Sequence, residues 1–335
     1  MLEISGKKGV LLNMNRSKKW FACGLVVMIF ILSGCGREES PDLPLVDVEK
    51  GSTNEVAAHT EDDWNPESYE SLEDMIQVTE MDDGNAGTSS GQMPAVTYRV
   101  RYQSGECQVV AYLSIPKKCL EEKQPYPCII YNRGGNRDYM MLKMEDIKNM
   151  AESSGKIVFA SQYRGVGGGT GKDEFGGADL QDVLKLVDLC QEFAFVDQEE
   201  LYMMGVSRGG MMTYMAMRED ARIKKGVVIS GDADLFMEYE EREDMREVLE
   251  ELIGGTPKEL PKEYEKRSAA YWAEELLCPV LIIHSRQDKL VSFGQAEKMV
   301  TCLEDAKKEY QFVTYEDDTH GMHPEDFEII MEWMQ

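Results

Sequence analysis

Residues 201–217 read LYMMGVSRGGMMTYMAM and place Ser207 between Gly205 and Gly209. The apolar stretch before the serine predicts a buried strand, and the stretch after it predicts a helix. A Gly-x-Ser-x-Gly motif between a strand and a helix is typical of a tight turn that lifts the serine hydroxyl to the end of a sheet. At a helix N-terminus a negative charge is also stabilised. The segment therefore predicts a nucleophilic serine, although the motif alone also occurs by chance.

Strand and helix patterns alternate along most of the remaining chain. Eight segments predict strands: AVTYRVRYQ, QVVAYLSIP, YPCIIYN, KIVFASQY, ELYMMGV, KKGVVIS, CPVLIIHS and EYQFVTYE. The first two form a hairpin pattern, and several of the others are continuous apolar runs, as in strands buried on both faces. This order predicts an α/β fold with a mostly parallel eight-stranded sheet and helices on both faces. The charged helical pattern of residues 233–275 predicts a helical cap over one end of the sheet.

The first 34 residues predict a lipoprotein signal peptide. A basic patch, NRSKK, precedes the apolar run WFACGLVVMIFIL, which ends in LSGC. This pattern resembles the bacterial lipobox, which implies cleavage before Cys35, a lipid on Cys35 and an extracytoplasmic protein anchored to the cell membrane. A short transmembrane anchor is the alternative, but the apolar run is short for a membrane span. The residues KKGV before Met14 could be a translated ribosome-binding site, so synthesis could begin at Met14.

Charge and cysteine spacing exclude several classes of function. The chain has 62 acidic and 36 basic residues and a net charge of −26, so nucleic acid is an unfavourable partner. Residues 35–92 are acidic and poor in aliphatic runs, which predicts a flexible tether. No CxxC pair is present, which argues against a zinc ribbon or a thioredoxin-like site. No metal or organic cofactor is implied, and the cysteines after residue 35 could be buried thiols or form a disulfide.

A serine hydroxyl becomes a good nucleophile only when a base takes its proton, and a histidine oriented by a carboxylate performs this task. His320 and His323 both follow the last predicted strand. His320 comes first and precedes Gly321, which allows a sharp loop back toward the sheet edge. His323 precedes Pro324, a pair typical of a helix start. His320 is therefore the predicted base.

Asp288 is the predicted carboxylate partner of His320. It follows the strand segment VLIIHS and completes the chain order serine, acid, histidine. Asp232 is a competitor, because it also follows a predicted strand. Asp317 and Asp318 lie so near His320 in sequence that loop capping is their simpler role.

The tetrahedral intermediate of acyl transfer needs two hydrogen-bond donors for its oxyanion. The backbone N–H of Arg208, at the predicted helix start, is one candidate. Gly134 and Gly135, in the segment RGGNRD after a predicted strand, are candidates for the second donor. The alternative is that this Gly-Gly pair only forms a turn.

Four separated segments carry a resemblance to a known family: YRGVGGGTGKDEFGGADLQDVLKLVDL, GVSRGGMMTYMA, HSRQDKLV and THGMHP. They resemble the catalytic domain of the prolyl oligopeptidase family, within the α/β-hydrolases, over residues 93–335. The resemblance implies a serine hydrolase that acts on peptide or ester bonds through an acyl-enzyme. It implies Ser207, Asp288 and His320 as the catalytic triad.

Two departures from the family limit what the resemblance implies. Family peptidases usually carry a β-propeller that screens substrates by size, and this chain has only the tether of residues 35–92. Several members have a tyrosine just before the Gly-Gly pair that supplies an oxyanion donor. Here Arg133 stands at that position, and it could bind a substrate carboxylate instead. Peptidase and esterase remain open, and the alternative is an inactive cell-surface lipoprotein that binds peptides or glycans with a hydrolase fold.

Overall fold

The computed structural model describes residues 3–6, 76–82, 84 and 93–335. The strands are β1 (Glu3–Gly6), β2 (Ile76–Asp82), β3 (Ala95–Ser104), β4 (Cys107–Pro116), β5 (Tyr126–Asn132), β6 (Ile157–Ser161), β7 (Val196–Val206), β8 (Lys225–Ile229), β9 (Val280–Ser285) and β10 (Tyr310–Tyr315). The helices are α1 (Lys117–Glu122), α2 (Met144–Ser154), α3 (Leu180–Glu192), α4 (Arg208–Glu219), α5 (Leu235–Glu241), α6 (Glu243–Ile253), α7 (Pro261–Lys266), α8 (Phe293–Asp305) and α9 (Asp326–Trp333). Two short 3-10 turns, Ala269–Tyr271 and Ala273–Glu275, follow α7.

The strands of the described residues form one sheet in the order β1-β10-β9-β8-β7-β5-β6-β4-β3-β2. Pairing is parallel from β6 through β5, β7, β8 and β9 to β10. It is antiparallel along β2, β3, β4 and β6, and between β1 and β10. A mostly parallel sheet with crossover helices confirms the predicted fold class.

The sheet has ten strands in the described residues, two more than the sequence predicts. The eight predicted segments are β3 to β10. The additional β2 lies in the predicted tether, so residues 76–82 belong to the sheet instead. Five of its seven residues are exposed, and this edge strand therefore lacks the buried alternation that reveals a strand. The other strand, β1, lies within the predicted signal peptide, while Cys35 and the rest of the tether, apart from Gly84, lie outside the described residues.

Both faces of the sheet are buried, as continuous apolar strands require. In β8, Val228 faces one hydrophobic cluster, while Val227 and Ile229 face the other. The cluster around Val228 includes buried residues of α3, α4 and α8. The cluster around Val227 and Ile229 includes buried residues of α2 and α9. The sheet is therefore the middle layer of three. The loops that follow the ends of its strands are free to form a site.

Residues 233–275 form α5, α6, α7 and the two 3-10 turns. Leu235, Leu249 and Tyr264 of this cap are buried in the same hydrophobic cluster as α4 and α8. Asp234 caps the N-terminus of α5 by accepting hydrogen bonds from two backbone N–H groups, and it also binds Lys298 of α8. The cap is thus fixed to the body of the protein rather than loosely attached.

The cysteines of the described residues are free thiols. Cys128 of β5 and Cys190 of α3 come closest, with their sulfur atoms 3.8 Å apart in the core. Burial raises the pKa of the Cys128 thiol, as expected for a group packed as an apolar residue. Among the helices of the described residues, none has the length and apolarity that a membrane crossing requires.

Candidate active site

Ser207 occupies the turn between β7 and α4. Its φ of 57° and ψ of −129° lie in a region that residues with side chains seldom adopt. Two hydrogen bonds fix this conformation: Ser207 N–H donates to the carbonyl of Ile229 at 3.0 Å, and Gly210 N–H donates to the carbonyl of Ser207 at 2.7 Å. Such strain persists only where the surroundings enforce it, and it is common at active sites.

The two glycines of the motif make this turn possible. A Cβ atom on Gly205 would overlap the carbonyl of Gly209, and a Cβ atom on Gly209 would overlap the carbonyl of Asn132 at the end of β5. Any larger residue would therefore push α4 away from the sheet. The motif has glycine at the two positions where backbone segments are in direct contact. This close packing holds Ser207 at the end of the strand.

Asp288 and His320 form a pair at the same edge. Nδ1 of His320 lies 2.8 Å from Oδ2 of Asp288, which is fully buried. The other carboxylate oxygen of Asp288 accepts backbone N–H groups of Leu290 and Val291 at 2.9 and 3.2 Å. Burial alone would raise the pKa of Asp288, but the bond with His320 and these backbone donors hold it below its ordinary value. An ionised Asp288 therefore orients the ring and fixes which of its nitrogens carries hydrogen.

The loop that carries His320 is tied to the loop after β8. Gly321 N–H donates to the hydroxyl of Ser230 at 3.3 Å, and Ser230 follows Ile229, whose carbonyl accepts from Ser207. The loops after β7, β8 and β10 therefore meet around Ser230. Within the described residues, neither Oγ of Ser207 nor Nε2 of His320 has a hydrogen-bond partner. The two atoms therefore have no protein partner in this part of the chain, and they do not bind each other.

His323 has a different role from His320. Its ring stacks on Tyr315 at a centroid distance of 3.7 Å, and its Nε2 lies 3.1 Å from Asp317. Burial opposes a charge on this ring, but the carboxylates of Asp326 and Asp317 raise the pKa of His323 above its ordinary value. The structure thus uses His323 to close the loop, in keeping with its predicted place before the last helix.

Gly134 and Arg208 lie beside Ser207 in backbone contact range. A Cβ atom on Gly134 would lie 3.4 Å from Cβ of Ser207 and 3.1 Å from the carbonyl of Val206. In the described part of the chain, no group accepts a hydrogen bond from the backbone N–H of Gly134, Gly135 or Arg208. These donors can therefore receive a ligand oxygen next to the serine.

Arg133 is not available for a substrate, which corrects the expectation that it binds a carboxylate. The residue is 1% exposed. Its guanidinium donates hydrogen bonds to the carbonyls of Gln162, Gly134, Tyr139 and Arg137 at 2.7 to 3.1 Å. The guanidinium N–H groups are thus bound to backbone carbonyls, and these bonds fix the conformation of the loop after β5.

The side chain of Arg208, which the sequence analysis did not consider, links two loops of the site. It pairs with Asp173 at 2.7 Å and with Asp179, and it donates to the carbonyl of Gly135 at 3.1 Å. Although burial would raise the pKa of Asp173, Arg208 holds it below its ordinary value. The loop after β5 is thereby fixed to residues 173–179. The only sequence signal for this link is the acidic spacing of KDEFGGAD, which is weak without a fold.

His284 and Asp232 are buried near the pair of Asp288 and His320. Nε2 of His284 lies 2.9 Å from the carbonyl of Val291 and 3.5 Å from Asp288. Burial lowers the pKa of His284, so its ring is neutral and packs next to the carboxylate of Asp288. Asp232 does not contact Nδ1 of His320, because Asp288 occupies that position. Of the two carboxylates that the sequence left in competition, Asp288 is therefore the partner of the ring.

A cavity of about 580 Å³ lies along α4, away from Ser207. Its walls include Lys172, Met215, Arg218, Leu252 and Arg267, contributed by α4, the cap and the preceding loop. The described residues contain no cluster of three or more histidine, cysteine or acidic side chains arranged to hold a metal ion.

The chain is similar in sequence to proteins of a known family. The model of the prolyl oligopeptidase family matches residues 144–335. The uncharacterized peptidase YtmA of Bacillus subtilis (strain 168) is 31% identical over 243 residues, which cover 71% of this chain and 93% of that protein. These relations support a hydrolase.

Two solved structures are similar in fold. The acylaminoacyl peptidase of Pyrococcus horikoshii is 21% identical with a TM-score of 0.62, and the match covers 73% of this chain and 42% of that one. The acetyl xylan esterase of Paenibacillus sp. R4 is 17% identical with a TM-score of 0.61, and the match covers 84% of this chain and 95% of that one. A peptidase and an esterase thus share this architecture.

Proposed function

The chain belongs to the prolyl oligopeptidase family, and on that premise we propose that it is a serine hydrolase that cleaves peptide or ester bonds through an acyl-enzyme. The observation that carries the proposal is the contact of His320 with Asp288 at 2.8 Å. The loop of His320 is bound to the loop after β8, and the end of β8 accepts a hydrogen bond from the backbone N–H of Ser207. A strained serine turn, linked through the loop after β8 to the loop of an oriented imidazole, fits the arrangement that acyl transfer uses.

In the proposed reaction, Nε2 of His320 removes the hydroxyl proton of Ser207 as the oxygen attacks the carbonyl carbon. The imidazolium then gives this proton to the leaving amine or alcohol, and the acyl group stays on Ser207. A water molecule, deprotonated by His320, attacks the acyl-enzyme, and the released acid restores the serine. Asp288 remains ionised throughout and stabilises the imidazolium.

We assign the oxyanion to the backbone N–H of Arg208 and that of Gly134 or Gly135. Their N–H groups have no acceptor among the described residues, and Gly134 lies against the serine. Because the donors are held by the buried guanidinium groups of Arg133 and Arg208, they need no reorganisation when the negative charge develops.

The substrate class is a carboxylic ester or a peptide. The fold is shared with an acylaminoacyl peptidase and with an acetyl xylan esterase, and the chain spans 95% of the esterase but 42% of the peptidase. Turnover of p-nitrophenyl acyl esters against aminoacyl p-nitroanilides would separate the two activities. A non-catalytic binding protein is not favoured, since the family match and YtmA are both peptidases by description.

Replacing Ser207 with alanine tests the mechanism. We expect kcat/KM for a p-nitrophenyl ester to fall by about 10³-fold or more, because the nucleophile is lost while the fold is kept. A fluorophosphonate probe should label the wild-type protein and leave the Ser207→Ala variant unlabelled. Full hydrolysis by this variant, or a wild-type protein that resists labelling, would contradict the proposed function.

A further inference from the structure

Arg101 of β3 differs from every other arginine in the described part of the chain. Each of the others donates a hydrogen bond or forms an ion pair, whereas Arg101 does neither. Its Nε is buried and has no acceptor, which is unfavourable for a hydrogen-bond donor. The chain has 62 acidic residues, so carboxylates are abundant. An arginine that pairs with none of them requires a physical reason.

Arg99 lies two residues before Arg101, and alternate residues of a strand share one face of the sheet. Its guanidinium donates to the carbonyl of Gly167 at 2.8 Å and to the hydroxyl of Thr79 at 2.9 Å. Glu80 of β2 lies opposite Arg99 in the sheet, yet among the described residues no carboxylate forms an ion pair with Arg99. Two neighbouring cations on one face of β3 are therefore left without a counter-charge, and they repel each other.

A glycine turn in the loop after β6 borders both guanidinium groups. A Cβ atom on Gly168 would lie 3.9 Å from Nη2 of Arg99 and 4.0 Å from Nη2 of Arg101. Gly167 and Gly168 both have positive φ, at 62° and 87°, and their backbone N–H groups have no acceptor in the described part of the chain. Successive N–H groups in a turn of this kind form concavities that bind anions. We call the set of Arg99, Arg101, Gly167 and Gly168 the arginine turn.

The arginine turn lies at the same edge of the sheet as Ser207. Arg101 is opposite Val110, and the carbonyl of Val110 accepts a hydrogen bond from the backbone N–H of Gln162 at 2.8 Å. Gln162 directly follows β6, whose end is level with the ends of β5 and β7. Four strand spacings separate β3 from β7, which amounts to about 19 Å. The arginine turn is therefore separate from the catalytic serine but shares its edge.

We propose that the arginine turn is a binding site for an oxyanion group, a carboxylate or a phosphate, which the guanidinium of Arg101 holds. The planar fork of a guanidinium matches both groups. Such a ligand gives Arg101 the acceptor that it lacks and neutralises the repulsion between Arg101 and Arg99. Because an extended peptide needs about six residues to span 19 Å, smaller ligands bind here without reaching Ser207. The site therefore goes beyond the proposed hydrolysis.

Direct titration of the full-length protein tests the site. The probes are sodium phosphate and sodium succinate, each followed by isothermal titration calorimetry at an ionic strength that sodium chloride keeps constant. The net charge of −26 disfavours both anions, so binding reports a local site. We expect a Kd of about 1 mM or less for at least one probe. In Arg101→Gln the Kd should rise by about tenfold or more, because the charged fork is lost.

Arg246→Gln is the matched control. It also removes one positive charge, but Arg246 lies in the cap and donates to the carbonyls of Tyr239 and Glu240. This variant should bind the probes as the wild-type protein does. Binding of phosphate alone would identify a phosphate-bearing ligand, and binding of succinate alone would identify a carboxylate. Binding of both would support a site for either group, provided that Arg101→Gln weakens it.

Two results would overturn the inference. One is a wild-type protein that binds neither probe, and the other is an Arg101→Gln variant with wild-type affinity, since both mean that the arginines are only solvated. Should Arg101→Gln not fold by circular dichroism, Arg99→Gln decides. Wild-type affinity in the folded Arg99→Gln variant would equally refute the site.

The anion site and the proposed hydrolysis can be tested independently. Arg101→Gln should keep the wild-type kcat/KM for p-nitrophenyl acetate, because this small ester does not extend from Ser207 to β3. Ser207→Ala should bind the anions as the wild-type protein does. If Ser207→Ala retains hydrolysis, only the proposed function is wrong. If the titrations show no dependence on Arg101, only the anion site is wrong.

Discussion

Arg133 and Arg208 both contact the ring of Tyr163, with their guanidinium carbons 5.2 and 4.9 Å from its centre. Both arginines are buried, yet their partners differ. Arg208 faces two carboxylates, whereas among the described residues the hydrogen bonds of Arg133 all go to backbone carbonyls. The loop after β5 thus depends on a charged side chain for its shape, because its glycines supply no side-chain contacts of their own. Arg133 belongs to the scaffold of the site.

Arg133→Ala should destabilise the protein by about 3 kcal/mol, because several buried carbonyls lose their donor and a cavity is left. The midpoint of urea unfolding measures this loss. Lys118→Ala, an exposed basic residue of α1, is the control and should cost less than about 1 kcal/mol. A normal unfolding midpoint combined with a raised KM for anionic substrates alone would instead favour carboxylate binding by Arg133.

The turn between β7 and α4 is held by backbone contacts. Gly209 packs against the end of β5, and Gly205 packs against Gly209. The first turn of α4, the end of β5 and the N–H groups that we propose as oxyanion donors are therefore packed directly against one another. Movement of α4 by even a small amount would displace the serine and the N–H of Arg208 together.

Gly209→Ala should destabilise the protein by about 3 kcal/mol or more and reduce kcat/KM, because the added methyl group overlaps the carbonyl of Asn132. Gly294→Ala is the matched control. Gly294 lies in α8, its nearest neighbour would be 3.5 Å from an added Cβ, and alanine favours helix there. Wild-type unfolding midpoint and kcat/KM in Gly209→Ala would show that this packing does not position the serine.

The chain has a net charge of −26. Its buried carboxyl groups form two sets whose contributions to stability change with pH in opposite directions. Asp288 and Asp173 are ion-paired, their pKa values are lowered, and they stabilise the fold above the ordinary carboxyl range. Glu238 and Asp232 are buried, their pKa values are raised, and they favour the fold when protonated. Their contribution is complete below the ordinary carboxyl range and is lost as pH rises. Stability should therefore decline toward alkaline pH as well as toward acid.

Glu238→Gln should separate these effects, since glutamine fills the same space and never ionises. The variant should be more stable than the wild-type protein at pH 8 by about 2 kcal/mol, and the difference should shrink as pH falls to 5. Urea unfolding at a series of pH values measures the slope. Parallel stability curves for the two proteins would show that Glu238 is ionised in the folded state.

Local patterns in the sequence determined much of this protein. Apolar runs determined several of the strands from β5 to β10, because burial on both faces demands them, and a hairpin pattern determined β3 and β4. The spacing of Gly205, Ser207 and Gly209 determined the turn, since any side chain at the glycines collides with backbone. The positions of Asp288 and His320 after successive strands were also readable, because parallel strands bring their following loops to one edge.

Only the tertiary structure decided which groups pair at that edge. Asp232 and Asp288 both follow strands, and the direction of each loop, rather than its residues, brings Asp288 to Nδ1 of His320. Likewise, the sequence shows a charge at Arg133, but only packing reveals that backbone carbonyls fill its donors. Pairing between residues far apart in the chain depends on how whole layers stack, and no local pattern of residue types encodes that arrangement.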